Sequence, residues 1–243
     1  MTAVIVGASS GLGRALASEL ASRGGDLLIV ASDPRDLEAI AADLSLRHGI
    51  NVRGVAMDVG IEANPSARIL TALEGMSPIT GLLLPIGVSR EDDDGTLDAR
   101  GIGQLLAINL HAPLAIVHGL LAQLLQTRGV VVLFGSIASI RGRGRNIVYA
   151  SAKRGLISLY ESLRQRYRPD ELRVQFYQLG FLATNLTYGM RLPMRALDPA
   201  SVAKTVARRI GGRSAFRHVP RRWRSLSIVL RALPWTVYRH IRN

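Results

Sequence analysis

A chain that runs Thr2-Ala3-Val4-Ile5-Val6 straight into Gly7-Ala8-Ser9-Ser10-Gly11-Leu12-Gly13 has few folds open to it. The apolar run reads as a buried strand, and the residues from Gly11 onward read as a helix. Glycines at 7, 11 and 13 allow a tight turn between the two and let backbone approach a bound group closely. The following helix offers unpaired N–H groups and the positive end of its dipole, which suits an anion such as a dinucleotide pyrophosphate. The spacing is G-x-x-x-G-x-G, not the G-x-G-x-x-G of most dinucleotide folds, and a glycine turn alone also occurs as a plain tight turn. About twenty residues beyond Gly13 the next strand ends in Val30-Ala31-Ser32-Asp33, where a ribose-binding acid is expected, so Asp33 and Ser32 are candidates. Asp58, closing the third strand in Ala56-Met57-Asp58-Val59, is placed to reach an adenine edge.

Short apolar runs then alternate with longer amphipathic ones, the pattern of βαβ units and a parallel sheet. Strands are expected at about 2–6, 26–31, 52–57, 80–86, 129–135, 172–178 and 215–219, and helices at about 11–23, 34–47, 62–75, 98–125, 149–168 and 199–210. The strands are apolar throughout, as they are when helices cover both sheet faces. At 243 residues, 48% of them hydrophobic, the chain suits one α/β domain over 1–220 followed by an extension over 221–243. There is no cysteine, which excludes disulfides and thiolate metal sites, and no metal is expected. The N-terminus lacks a basic region followed by a cleavable apolar segment, and no run of roughly 18 apolar residues stands out, so a cytoplasmic protein without a spanning helix is expected.

Tyr149 and Lys153 in Tyr-Ala-Ser-Ala-Lys are four residues apart and therefore share one helix face. A phenol with a pKa near 10 is a poor acid at neutral pH, and a neighbouring ammonium favours the phenolate and lowers that value. Ser136 ends the fifth strand in Leu133-Phe134-Gly135-Ser136, and strand C-terminal ends form the ligand crevice of an open α/β sheet. Its hydroxyl can hold a substrate carbonyl in line with the tyrosine proton. Alone, Tyr-x-x-x-Lys is an ordinary surface pair; the combination with Ser136 and the glycine turn changes that.

Taken in order and spacing, Gly7/Gly11/Gly13, Asn109 in Ala107-Ile108-Asn109-Leu110, Ser136, Tyr149 and Lys153 resemble the short-chain dehydrogenase/reductase family, from the first strand to about residue 185. The resemblance implies a doubly wound, seven-stranded Rossmann sheet, a nicotinamide cofactor and interconversion of a carbonyl and an alcohol. It implies that Tyr149 is the general acid/base, that Ser136 positions the carbonyl, and that Lys153 binds the nicotinamide ribose and tunes the tyrosine. By the same resemblance Asn109 holds a water in a proton relay and Thr184 contacts the carboxamide. The cofactor-binding set further takes in Ser9, Ser10, Leu12, Val59, Gly87, Gly180 and Leu182. Two positions depart from the family pattern: Leu84-Pro85-Ile86-Gly87 stands where Asn-Asn-Ala-Gly is common, and Leu179-Gly180 where Pro-Gly is common. The sheet must therefore be braced another way. Ser10 and Ser32 occupy places where NADP-preferring relatives carry a basic residue, and Asp33 repels a 2′-phosphate; NADH is favoured over NADPH, with Arg35 able to swing in.

The net charge of +13 is concentrated at the end: no acid follows Asp198, while eleven Lys and Arg do. In 221–243 arginines interleave with Trp223, Leu226, Ile228, Val229, Leu230, Leu233, Trp235, Val237, Tyr238 and Ile241, and Pro234 should split the stretch into two short amphipathic pieces. That composition suits the headgroup boundary of an anionic membrane, here the inner face of the plasma membrane; packing on the domain or on a partner subunit is the alternative, and no nucleic acid is expected. Together with Asn146–Leu163, the tail resembles the decaprenylphosphoryl-2-keto-ribose reductases of arabinan, a cell-envelope glycan. That implies reduction of a 2-keto sugar on a polyprenyl phosphate, with an oxidase partner making the ketone. The segment 185–199 would then cover the substrate, with Arg191 or Arg195 meeting its phosphate. The alternatives are a reductase of a soluble ketone or acyl-carrier substrate, and a silent NAD(P)-binding regulatory protein. A homo-oligomer is compatible with all of them.

Overall fold

The computed structural model describes residues 1–184 and 194–241. Strands β1 (Thr2–Val6), β2 (Asp26–Ala31), β3 (Val52–Ala56), β4 (Ile79–Leu84), β5 (Val130–Ser136), β6 (Arg173–Leu179) and β7 (Ala215–Val219) form one sheet. Its order is β3-β2-β1-β4-β5-β6-β7 and every pairing is parallel. The chain winds outward from β1 in one direction to β3, then crosses back to β4 and continues the other way. This reversal opens a crevice beyond the C-terminal ends of β1 and β4.

Alternate residues of the central strands β1, β2 and β4 enter two separate cores, whereas β3, β6 and β7 also carry polar residues such as Arg53, Gln175 and Arg217. Val4, Val6, Leu28, Val30, Leu82 and Leu84 face one helix layer, and Ile5, Leu27, Ile29 and Leu83 face the other. The first layer holds α3 (Pro65–Leu73), α5 (Ala112–Gln126) and α6 (Ile147–Arg166); the second holds α1 (Gly11–Ala21), α2 (Pro34–His48) and α7 (Pro199–Ala207). Element boundaries depart from the sequence expectation by at most three residues.

One departure is larger. The helix expected over 98–125 is α4 (Ala99–Leu106) and α5 joined by a wide π turn, Ala107–His111, with the buried Asn109 at its centre. Single π turns inside longer helices commonly lie at functional sites. By length and composition alone Ala99–Gln126 could cross a membrane, contrary to the expectation that no segment could. Its apolar stripe Ile116, Val117, Leu120 and Leu124 lies in the first core instead.

Pro234 splits the tail as its fixed φ requires, giving α8 (Trp223–Ala232) and α9 (Trp235–Tyr238). Neither helix floats free. Trp223 is buried and meets Phe181 edge to face, and a side chain at Gly180 would overlap its indole nitrogen. Arg141 donates to the carbonyls of Leu230 and Leu233 at 2.7 and 2.6 Å, and its guanidinium lies 4.1 Å from the Tyr238 ring centroid. A cation at the end of α8 is favoured by the helix dipole, and a cation over an aromatic face by the ring quadrupole. Tyr238 donates its hydroxyl proton to the Gly142 carbonyl at 2.7 Å. The outer side keeps Ile228, Val229, Trp235 and Val237 more than half exposed among arginines 221, 222, 224, 231 and 239.

Candidate active site

A cleft of about 530 Å³ runs along the C-terminal ends of the central strands. At its β1 end, Gly7 (φ 92°) and Gly11 (φ 49°) have backbone that other residues rarely adopt, and a Cβ on Gly13 would overlap the Gly7 carbonyl oxygen. Ser10, the residue before α1, makes no side-chain cap, and the first turn of α1 carries no acid. The cradle therefore offers helix N–H groups and a positive dipole end with no side chain competing for them, which fits the pyrophosphate of a dinucleotide. Ser9, Ser10, Leu12, Ser32, Asp58, Val59, Gly87, Gly180, Leu182 and Thr184 all line this cleft, and Thr184 packs against Gly11. Asp33 is not among the lining residues. Its carboxylate caps α2, accepting from the Arg35 N–H at 2.9 Å, because Pro34 opens that helix one residue later. Asp58 closes a local turn by accepting from the Gly60 N–H.

At the β5 end stand Ser136, Tyr149 and Lys153. Burial pushes the Tyr149 phenol above its ordinary value, and a hydrogen bond with the Ser136 side chain opposes that rise. The sequence gives Lys153 the tuning role; in the structure burial and Ser136 set the Tyr149 shift, and Lys153 is not among its causes. Lys153 itself is 4% exposed, and burial pulls its ammonium from 10.5 down to about 8. It donates to the Ile86 carbonyl at 2.7 Å and lies 5.9 Å from the Tyr149 ring centroid.

The same lysine answers the missing Asn-Asn pair. Asn109 accepts from the Val88 N–H at 3.2 Å and donates to the carbonyls of Val88 and Leu105 at 2.8 and 2.9 Å. Lys153 and Asn109 thus hold the backbone of residues 86–88 from the helix layer, with Gly87 between them. A Cβ at Gly87 would come within 2.9 Å of the Lys153 Nζ and 3.1 Å of the Asn109 Oδ1. Both donors of the Asn109 amide are engaged on backbone, which makes bracing the role its side chain visibly performs. At the second departure, Leu179 is buried in a core and the Gly180 N–H donates to the Val219 carbonyl at 2.8 Å.

Two residues with roles here were not singled out from the sequence. Asp93 is 1% exposed, and its carboxylate oxygens accept from the N–H groups of Val148 and Tyr149, each at 2.9 Å, while its own carbonyl accepts from Ile147. Asn146 precedes α6 in a left-handed conformation and provides no side-chain cap, so Asp93 supplies the cap from 55 residues away. The second is Gln178 on β6, which donates to the Ser136 carbonyl and to the Ser139 Oγ, while the Ser139 hydroxyl also donates to the Ser136 carbonyl. Together they fix the turn that presents Ser136. Of the two arginines expected to meet a phosphate, Arg191 lies outside the described residues, and Arg195 is exposed and away from the cleft lining.

The short chain dehydrogenase family model matches residues 1–193. The chain therefore belongs to the short-chain dehydrogenase family and is an NAD(P)-dependent oxidoreductase. It is 27% identical over 239 residues to an uncharacterized oxidoreductase of Mycobacterium tuberculosis, covering 98% of this chain and 96% of that protein. It is 26% identical over 211 residues to the 3-oxoacyl-[acyl-carrier-protein] reductase of Escherichia coli, covering 86% and 84%. It is also 26% identical over 222 residues to a very-long-chain 3-oxoacyl-CoA reductase of Meyerozyma guilliermondii, covering 87% of this chain but 65% of that protein. A short-chain dehydrogenase from Sphingobium yanoikuyae in complex with NADPH shares the fold at a TM-score of 0.82 and 23% identity, over 96% of both chains. A bulky-bulky ketone specific alcohol dehydrogenase from Comamonas testosteroni does so at 0.81 and 22%, over 100% and 95%.

Removing the Asp93 carboxylate leaves two N–H groups without an acceptor at the start of the helix that carries Tyr149. Asp93→Ala is expected to lower the unfolding free energy by about 2 kcal/mol in urea denaturation, and Asp93→Asn by less, since it keeps one acceptor. Equal stability of Asp93→Ala and the parent would contradict the capping role.

Proposed function

We propose that this oxidoreductase reduces a ketone to a secondary alcohol, with Tyr149 as the acid. The observation that carries the reading is that Tyr149, its hydrogen-bonding partner Ser136 and the buried Lys153 share one end of a cleft whose other end is a cradle for pyrophosphate. The nicotinamide, when bound, supplies the hydride. Ser136 holds the substrate carbonyl oxygen, and the Tyr149 hydroxyl gives its proton to that oxygen as negative charge develops there. The Lys153 ammonium below the ring stabilises the phenolate left behind. The protein recharges that phenolate with a proton from solvent. Asp33, fixed beside Ser32 where it would meet a 2′-phosphate, supports NADH over NADPH.

The substrate we favour is a 2-keto sugar on a polyprenyl phosphate, made by an oxidase partner in cell-envelope glycan synthesis at the cytoplasmic face of the plasma membrane. Its support is the tail. The outer face of α8 and α9 exposes apolar side chains amid arginines, while its inner face packs on the cleft's own loops, so a surface that engages anionic lipid lies beside the opening. The 3-oxoacyl reductases among the relatives support a second reading, a ketoreductase of acyl thioesters whose tail serves a homo-oligomer.

Tyr149→Phe is expected to cut ketone reduction by about 10³-fold while nicotinamide binding, followed by tryptophan-to-nicotinamide energy transfer, stays intact. Undiminished turnover in that variant would remove Tyr149 from the chemistry. For the tail, deletion would tear Trp223 and Tyr238 from the domain, so exposed residues are the ones to change. Replacing Ile228, Val229, Trp235 and Val237 by serine is expected to abolish sedimentation with phosphatidylglycerol-containing vesicles and leave turnover of a small ketone unaltered. Unaltered sedimentation would favour the second reading.

A further inference from the structure

We propose that Arg143 is the anion-recognising residue of the substrate half of the cleft, taking a phosphate ester on the ketone substrate, and that α8 and α9 hold it in place. The proposal rests on the reductase reading and names the chemical class of its substrate.

The nucleotide half of the cleft, around Gly7–Leu12 and Asp58, lies over β1 to β3. The other half, around Ser136, Ile137, Arg143, Asn146 and Phe181, lies over β5 and β6. Among the described lining residues the cations are Arg143 and Lys153, and the one acid, Asp58, stands at the nucleotide end. Lys153 is engaged with the Ile86 carbonyl. Arg143 has no hydrogen-bond or ion-pair partner among the described residues, and its Nε is buried without an acceptor. A buried guanidinium N–H with no acceptor is unfavourable, so a ligand that brings anionic oxygens gains what the protein withholds. A guanidinium meets phosphate through two parallel N–H···O bonds, a geometry that a carbonyl substrate without such a group cannot use.

The loop explains how that side chain stays aimed. Within Arg141-Gly142-Arg143-Gly144-Arg145, a Cβ on either glycine would meet nothing within 4 Å, so packing at the glycines does not fix the backbone. The tail does. Arg141 is bonded to the end of α8, and the Gly142 carbonyl accepts from Tyr238, so both residues immediately before Arg143 are held by the extension.

The test is calorimetric, on full-length protein saturated with NADH, using farnesyl phosphate, glycerol 1-phosphate and farnesol as probes. Farnesyl phosphate is expected to bind the parent, and Arg143→Gln to weaken it by about tenfold or more, with Arg143→Lys recovering part of the loss and NADH affinity holding as the check on folding. Tyr238→Phe, which loses only the bond to Gly142, is expected to weaken the same binding by a smaller factor. Glycerol 1-phosphate binding with the same Arg143 dependence would assign the phosphate to a soluble substrate, and its failure beside farnesyl phosphate would assign it to a lipid-borne one. Equal affinity of the parent and Arg143→Gln, or farnesol binding as tightly as its phosphate, would overturn the proposal. Turnover of a neutral ketone is assayed separately. Its absence would remove the reductase reading and leave the Arg143 binding result standing.

Discussion

One buried ammonium organises the site. Lys153 enters a nearly water-free space under the Tyr149 ring, where charge is costly, and its compensation is the Ile86 carbonyl at 2.7 Å. That contact dictates much of what surrounds it. Gly87 must be bare because the ammonium and the Asn109 amide occupy the space a side chain would need. Asn109 reaches residue 88 from a π turn, the irregularity that interrupts an otherwise regular helix. The backbone just past β4, where Pro85 and Ile86 stand, is held by side chains from the helix layer.

The proton donor depends on longer connections. Tyr149 lies in the first turn of a helix that does not start alone: its start is capped by Asp93, in the loop that leaves β4, and that loop is held at Val88 by Asn109. Ser136 is fixed from β6 by Gln178. The tail reaches the same region from outside, through Arg141, Gly142, Gly180 and Phe181. Removal of any of these supports is therefore expected to act on the geometry of the reacting groups as well as on stability, because all of them converge on the loops between β4, β5, β6 and their helices.

The sheet was legible because its signals are local. Val4-Ile5-Val6 followed by glycines, and Val130–Ser136 closed by a serine, carry their meaning within a few residues, as does the spacing of Tyr149 and Lys153. Pro234 likewise announces the break between α8 and α9. What escaped was non-local. Asp93 is one acid in Arg90-Glu91-Asp92-Asp93-Asp94, and nothing in that run says which carboxylate travels to a helix 55 residues later. Arg141 and Arg143 differ by the side of the loop they face, which a repeating Arg-Gly pattern does not encode. The acid at 33 was read for its distance from Gly13, yet its position immediately before Pro34 gives it the capping task. The tuning of the tyrosine was read from charge alone, whereas depth of burial governs both its proton and that of the lysine.

The sequence makes the central contact unusually easy to measure, since Lys153 and Lys204 are its two lysines. Lysine labelled with ¹³C at Cε gives two resonances, assigned by a Lys204→Arg variant, whose shifts report each titration from pH 6 to 11. The expected result is an inflection for Lys153 at about 8, the mark of an ammonium held in a dry site against a single carbonyl. An inflection at the ordinary lysine value of about 10.4 would mean that the Lys153 ammonium is held as stably as in water, and that burial does not govern this site.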